Sequence, residues 1–499
     1  MNTANLYQQY KTALQKIADV KYANAVLQWD QETYLPQKGA AARASQMATL
    51  SELSHQLSTD EKLGALLSEL NAANGLTEIE RKNVQLSLED YQKQQKFSSA
   101  FVRQMSEAVS ASFYAWIEAR KQNSFKVFEP ALAKLVELKK EEASLLVYEQ
   151  HAYDALLNEY EKGATVQLLD GVFASLSQPL SELLQKAKQL PAVDDSFLKS
   201  NYPKQQQWNW GMHLIKQLGF DFEAGRQDVS EHPFTTNFSA KDVRITTRID
   251  EHDFANMTWS CIHETGHALY EQGLPDEQYG LPCGEYASLS IHESQSRLWE
   301  NCVGRSKAFW QHHYPNLQTY FPGQLAGIDL QHFYRSINKI QPSFIRTEAD
   351  ELTYHFHVQI RYNIEKEIIA GTCSVADVPG IWNEQYAKYL GVIVPDDKTG
   401  CLQDVHWSHG SFGYFPTYSL GSFYAAQFFE QAKKELPHLE QEIRTGNTNG
   451  LLQWLRTHIH QHGKRFTSEE LCKKITGEGL NVNHFMNYLS EKIDTLTSI

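Results

Sequence analysis

Apolar residues recur at three- and four-residue steps through most of this chain, set among Glu, Gln, Lys, Leu and Ala. The stretches LYQQYKTALQKIADVKYANAVLQW (6–29) and EPALAKLVELKKEEASLLVY (129–148) show the pattern. That step matches the 3.6-residue turn of a helix with one buried face, and these residue types favour helix. They predict core-facing amphipathic helices that carry no chemistry themselves. One segment breaks the pattern. In HPFTTNFSAKDVRITTRID (232–250), Val243 and Ile245 alternate with Asp242, Arg244 and Thr246. Two-residue alternation among β-branched residues predicts strand, so a small sheet is expected there. Gly and Pro gather around 273–284 and 391–421, which read as loops near a site rather than domain boundaries. No fixed-period repeat, low-complexity tract or Gly/Ser linker interrupts the chain. The expectation is an all-α, mainly helical fold with a small β-sheet, formed by residues 1–499 as one domain cleft into two lobes.

Composition narrows the class. Apolar residues make up 41% and charged residues 21%, as in an ordinary globular protein. The 60 acidic against 46 basic residues leave a formal charge of −14. Such a surface repels nucleic acid and anionic membrane, and neither is expected as a partner. The six cysteines form no C-x-x-C pair and are too sparse for a disulfide framework. The opening MNTANLYQQYKTALQK lacks the apolar core of a signal peptide, and no run reaches the roughly 18 apolar residues of a membrane span. A cytoplasmic protein with reduced thiols is the expectation.

Candidate chemistry lies just after the predicted strand. The segment DFANMTWSCIHETGHALYEQGLP offers Asp253 as a helix N-cap and stops at Gly273, with Pro275 beyond. His263 and His267, four apart on this helix, project from one face one turn apart. Two imidazoles so placed can hold one divalent cation, and Glu264 on the flank can reach water there without being a ligand. H-E-x-x-H alone also fits a helix with two ordinary histidines, so a third ligand decides. SLSIHESQSRLWEN (288–301) predicts a second helix, with Leu289, Leu298 and Trp299 continuing to Val303 as its apolar stripe. On it Glu293 would complete a His₂Glu set with one open position. His292 points about 100° away and is assigned to substrate or to support of a ligand. Glu300, seven residues beyond Glu293, would orient His263 or His267.

These residues resemble the carboxypeptidase Taq family of metallocarboxypeptidases. The resemblance rests on HETGH (263–267), HESQS (292–296), DVRIT (242–246), IRTEADELT (345–353) and GCLQDVHW (400–407), with WDQETYLP (29–36) similar to the family's N-terminal region. It implies a nearly all-helical fold with a deep cleft, similar to helical zinc oligopeptidases. It also implies a cytoplasmic homodimer and removal of single residues from the free C-terminus of peptides. Zinc is the implied metal, one per subunit, with cobalt as a substitute.

The reaction then expected is hydrolysis. Zinc lowers the pKa of its water towards about 7, Glu264 takes the proton and passes it to the leaving amine, and donors stabilise the oxyanion. HGSFGYFPTY supplies His409, Tyr414 and Tyr418, in a spacing similar to the His/Tyr pattern of helical oligopeptidases. Tyr418 is the expected oxyanion donor, with His409 beside it, and Tyr414 and His406 are substrate-binding candidates. A substrate carboxylate calls for arginine, whose fork binds it in bidentate fashion. Arg346 is the first candidate; Arg244, with Thr246, is assigned to a strand that pairs with the peptide backbone. Two other readings stay open here: an oligopeptidase cutting internal bonds, and an inactive helical binding protein.

Overall fold

The computed structural model describes residues 2–498. Helix accounts for 69% of the chain, and among the described residues the β-structure is one three-stranded sheet. The helical stretches expected from periodicity form: Thr3–Thr33 buries Leu6, Tyr10, Ile17, Ala18 and Trp29, and Phe125–Leu146 buries Phe128, Leu132, Leu135, Val136 and Leu138.

Two separate cores form. The smaller joins Leu6, Tyr10, Leu63, Leu67, Leu70, Val84 and Tyr91 of the N-terminal helices with Leu281, which reaches in from the Gly/Pro-rich 273–284 stretch. The larger holds most of the rest, including fully buried Trp210, Trp299, Trp310 and Trp382. All six cysteines are free thiols, and no described helix is long and apolar enough to cross a membrane.

The sheet has three strands: β1 (Gly225–Val229), β2 (Thr235–Ser239) and β3 (Asp242–Thr247), in the order β1-β3-β2. β3 is central, parallel to β1 and antiparallel to β2. The sequence pattern anticipated β2 and β3 but not β1, whose GRQDV has neither alternation nor β-branched enrichment. Because Thr235 pairs with Ile245 and Asn237 with Val243, these four side chains share one face. That face covers the helix Phe254–Glu271. On the other face, the Arg244 guanidinium lies 4.3 Å from the Trp29 ring and 4.8 Å from Phe238, so the end of the first helix clamps the sheet from outside. β2 is left as a sheet edge.

Candidate active site

Three helices and the β2 edge build the site. The histidine helix, Phe254–Glu271, starts at Asp253, whose side chain accepts from the Asn256 N–H, as the sequence predicted. The Glu293 helix, Leu289–Arg297, is capped by Ser288 and runs into a π-helical turn, Leu298–Val303. The tyrosine helix is Phe415–Glu435. Two glycines let these helices approach: a Cβ on Gly266 would lie 2.6 Å from the Ser296 Cα, and one on Gly421 would lie 2.6 Å from the Glu293 Cβ. The Glu293 helix is therefore pinched between the other two.

Within this sandwich His263, His267 and Glu293 converge. Oε2 of Glu293 is 3.7 Å from Nε2 of His263 and 3.5 Å from Nε2 of His267. The outward nitrogens are occupied. Nδ1 of His263 is 2.8 Å from Oε2 of Glu300, and Nδ1 of His267 is 2.6 Å from Nδ1 of His292, whose Nε2 is 2.7 Å from Oε1 of Glu271. With both Nε2 atoms turned inward as acceptors, His263 donates from Nδ1 to Glu300. His267 donates from Nδ1 to His292, and His292 from Nε2 to Glu271. Arg297 bridges the acids from below, 2.7 Å from Glu293 Oε1 and 3.0 Å from Glu300 Oε2.

The electrostatics follow. Burial, reinforced by His292, pushes His267 down to about 3, so its imidazole stays neutral and able to ligate. Burial would raise Glu293, but Arg297 and the two histidines outweigh it and hold the carboxylate well below its usual range. Burial lowers His263 as well, but Glu293 and Glu300 outweigh it and raise its pKa, so a cation would enter in exchange for that proton; two imidazoles and one firmly ionised carboxylate fit a divalent cation. Glu264 is also buried, and burial raises its pKa. Its Oε2 accepts from the Thr235 hydroxyl at 2.5 Å. Above the triad lies a cavity of about 400 Å³, walled by Thr235, Asn237, Glu264, Tyr286, Tyr414 and Tyr418 among others.

The motif patches now identified by geometry coincide with a family match along nearly the whole chain. Residues 9–493 match the carboxypeptidase Taq (M32) metallopeptidase family. The chain belongs to that family. Carboxypeptidase 1 of Bacillus subtilis is 39% identical over 97% of each chain. Thermostable carboxypeptidase 1 of Thermus thermophilus is 38% identical over 98% of each. The crystal structure of an M32 carboxypeptidase from Deinococcus radiodurans superposes with a TM-score of 0.97 at 38% identity, covering 99% of this chain and 100% of that one. The protein is thus a metallocarboxypeptidase, a peptide hydrolase whose family requires a divalent metal, and the fold is the mainly helical one expected.

Within this M32 fold the other sequence candidates fall into two groups. Tyr414, Tyr418 and His292 line the cavity, and His406 stands behind it with Nε2 3.1 Å from the Tyr418 hydroxyl. Burial pushes His406 down to about 3 and Tyr418 well up, so the pair is a neutral imidazole and a neutral phenol.

Three placements differ from expectation. His409 is exposed, its ring 5.1 Å from Phe113, and it does not line the cavity. Both histidines sit on one short 3-10 turn, His406–His409, which ends at Gly410 with φ +71°; His406 faces inward from it and His409 outward. Arg244 sits on central β3, paired with Asp242 and stacked on Trp29, and Thr246 is buried against Ser230 and Phe234. β2 is the strand with a free edge at the site. Arg346 is buried and committed to Asp404 at 2.9 Å and the Tyr354 hydroxyl at 2.9 Å, with its guanidinium 4.9 Å from the Tyr418 ring. It lies behind the cavity wall.

Glu271, Thr235, Asn237, Arg297 and Tyr286 were not singled out from sequence. Glu271 had a signal, being four residues beyond His267 and so on the same helix face. The strand residues had none, because pairing with β3 sets their orientation.

Proposed function

We propose that this M32 enzyme is a zinc carboxypeptidase that releases single residues from the C-terminus of peptides, with residues 1–499 acting as one catalytic domain in a cytoplasmic homodimer. The observation that carries it is the convergence of His263, His267 and Glu293 beside Glu264 at the floor of a cavity. These three side chains would hold the ion, which when bound supplies Lewis acidity for water and for a peptide carbonyl. The family resemblance supports zinc, the cytoplasmic location and the homodimer; the match over 9–493 supports a single catalytic unit.

The chain's own groups do the rest. Thr235 occupies Oε2 of Glu264, so Oε1 is the atom that takes the proton from attacking water and delivers it to the leaving amine. The Tyr418 O–H donates to the oxygen on which charge develops, with His406 Nε2–H donating to the phenol oxygen and aligning it. A buried cluster supports selection of a C-terminal carboxylate. Asp404 is shared by Arg346 at 2.9 Å and Arg361 at 2.6 Å, so two guanidiniums and one carboxylate leave one net positive charge behind Tyr418. Its field favours an anionic group on that side of the cavity.

The test is an N-blocked peptide ladder read by mass spectrometry, with wild type and Glu264→Gln, each metal-loaded and chelator-treated. Stepwise loss of single C-terminal residues by loaded wild type is expected, with Glu264→Gln keeping its metal and losing activity. Release of internal fragments, or full activity in Glu264→Gln, would overturn the proposal.

A further inference from the structure

β2 is the edge of the sheet, and its side chains at 235 and 237 face the histidine helix. Each meets a carboxylate there: Thr235 bonds Glu264, and Asn237 Nδ2 is 2.5 Å from Oε2 of Glu271. Glu271 is buried, and its other oxygen takes the Nε2–H of His292 at 2.7 Å. A carboxylate in this position only accepts. The Asn237 amide therefore cannot turn over, since that would set oxygen against oxygen. Its Nδ2 is committed inward, and Oδ1 is the atom left for the cavity that Asn237 lines.

An extended peptide laid along a sheet edge offers N–H and C=O groups in alternation. A fixed acceptor beside that edge distinguishes them. We propose that Asn237 is a substrate-binding residue whose Oδ1 accepts a backbone N–H of the peptide, with Glu271 as the positioning residue that fixes the amide's orientation. This rests on the peptidase reading above and adds a specificity to it: the substrate needs an unsubstituted amide nitrogen at one position. Peptides carrying an N-methyl group there are disfavoured, because that nitrogen has no hydrogen to donate.

The test is an N-methyl scan. Each amide of an N-blocked tetrapeptide is methylated in turn, and kcat/KM is measured for wild type, Asn237→Ala and Asn237→Ser. At one position methylation is expected to cost wild type about ten-fold, the worth of one hydrogen bond, and to cost both variants less than about two-fold. The same peptides are then titrated against chelator-treated protein, where the same non-additivity is expected in binding. Losses that multiply at every position, in both variants and in both measurements, would overturn the proposal and leave Asn237 as a strut for Glu271. The binding arm decides this whether or not the unmodified peptide is cut. Failure of loaded wild type to release its C-terminal residue counts against the proposed function alone.

Discussion

Thr235 reaches from the edge strand to the histidine helix and places its hydroxyl 2.5 Å from Oε2 of Glu264. A threonine hydroxyl has one hydrogen, and giving it to the carboxylate fixes which oxygen faces the cavity. Thr235→Val keeps the shape and removes the donor. A hydrogen bond to a charged group is worth about 1.5–3 kcal/mol, so kcat is expected to fall roughly ten- to a hundred-fold with metal content unchanged, and Thr235→Ser to restore most of it. Metal analysis beside steady-state kinetics checks this. Loss of metal in step with kcat would show that the hydroxyl holds the fold of the site rather than its base.

Gly421 separates packing from propensity. It lies inside the tyrosine helix, where alanine is ordinarily favoured by about 1 kcal/mol. Its Cβ, however, would meet the Cβ and Cγ of Glu293 at 2.6 Å. Glu293 has little room to yield, with Arg297 on one oxygen and Ser296 on the other. Gly421→Ala is therefore expected to weaken metal binding by ten-fold or more, read by competition with a chromogenic chelator. Unchanged affinity would mean that the helices spread without moving the carboxylate.

What could be read from sequence was what a helix makes local. His263, Glu264, His267 and Asp253 sit on one helix, and the 3.6-residue turn alone sets their relation; Glu293 and Glu300 followed from the same rule applied to the next helix. The partners of the arginines were hidden for the opposite reason. Arg346 has Asp404 as its partner, 58 positions away in the chain, and no periodicity shows that pairing. Arg244 was placed on the right strand, but which strand is central depends on β1, which gave no signal. The π-turn after Arg297 was equally hidden, although it carries Glu300 towards His263.

Glu300 tests how much that support matters. Its Oε2 accepts from His263 Nδ1 at 2.8 Å and from Arg297 at 3.0 Å. Glu300→Gln removes the charge that aligns His263 and strengthens it as a donor to a cation. Partners of this kind are worth about 10–100-fold in metal affinity or activity. The expected result is metal binding weakened within that range, measured by titration of the metal-free protein, with the circular dichroism of the helical fold unchanged. An affinity equal to wild type would place the burden of aligning His263 on packing alone.

Glu365 gives the pH dependence of stability. It is fully buried on the helix Tyr354–Ala370 and accepts from the Tyr153 hydroxyl, from Trp407 Nε1 at 2.8 Å and from the Gly413 N–H at 2.8 Å. Trp407 and Gly413 flank the loop between His406 and Tyr414, so this carboxyl pins the loop behind the cavity. Burial pushes its pKa up to about 7, and the three hydrogen bonds offset only part of the rise. A folded-state pKa above the unfolded one means the folded protein holds the proton more tightly. The associated stability is fully present below the unfolded pKa near 4.5 and is lost as pH rises to about 7. The shift corresponds to about 3 kcal/mol across that window. Glu365→Gln cannot titrate, and its amide sets a donor against one of the three donors, so the variant is expected to be less stable at every pH. The diagnostic is the slope: urea unfolding at several pH values between 4.5 and 7.5 should show wild type losing about 3 kcal/mol more than Glu365→Gln over the same range. Parallel curves would mean that Glu365 is ionised throughout and that the loop is pinned by a charge, not by a shared proton.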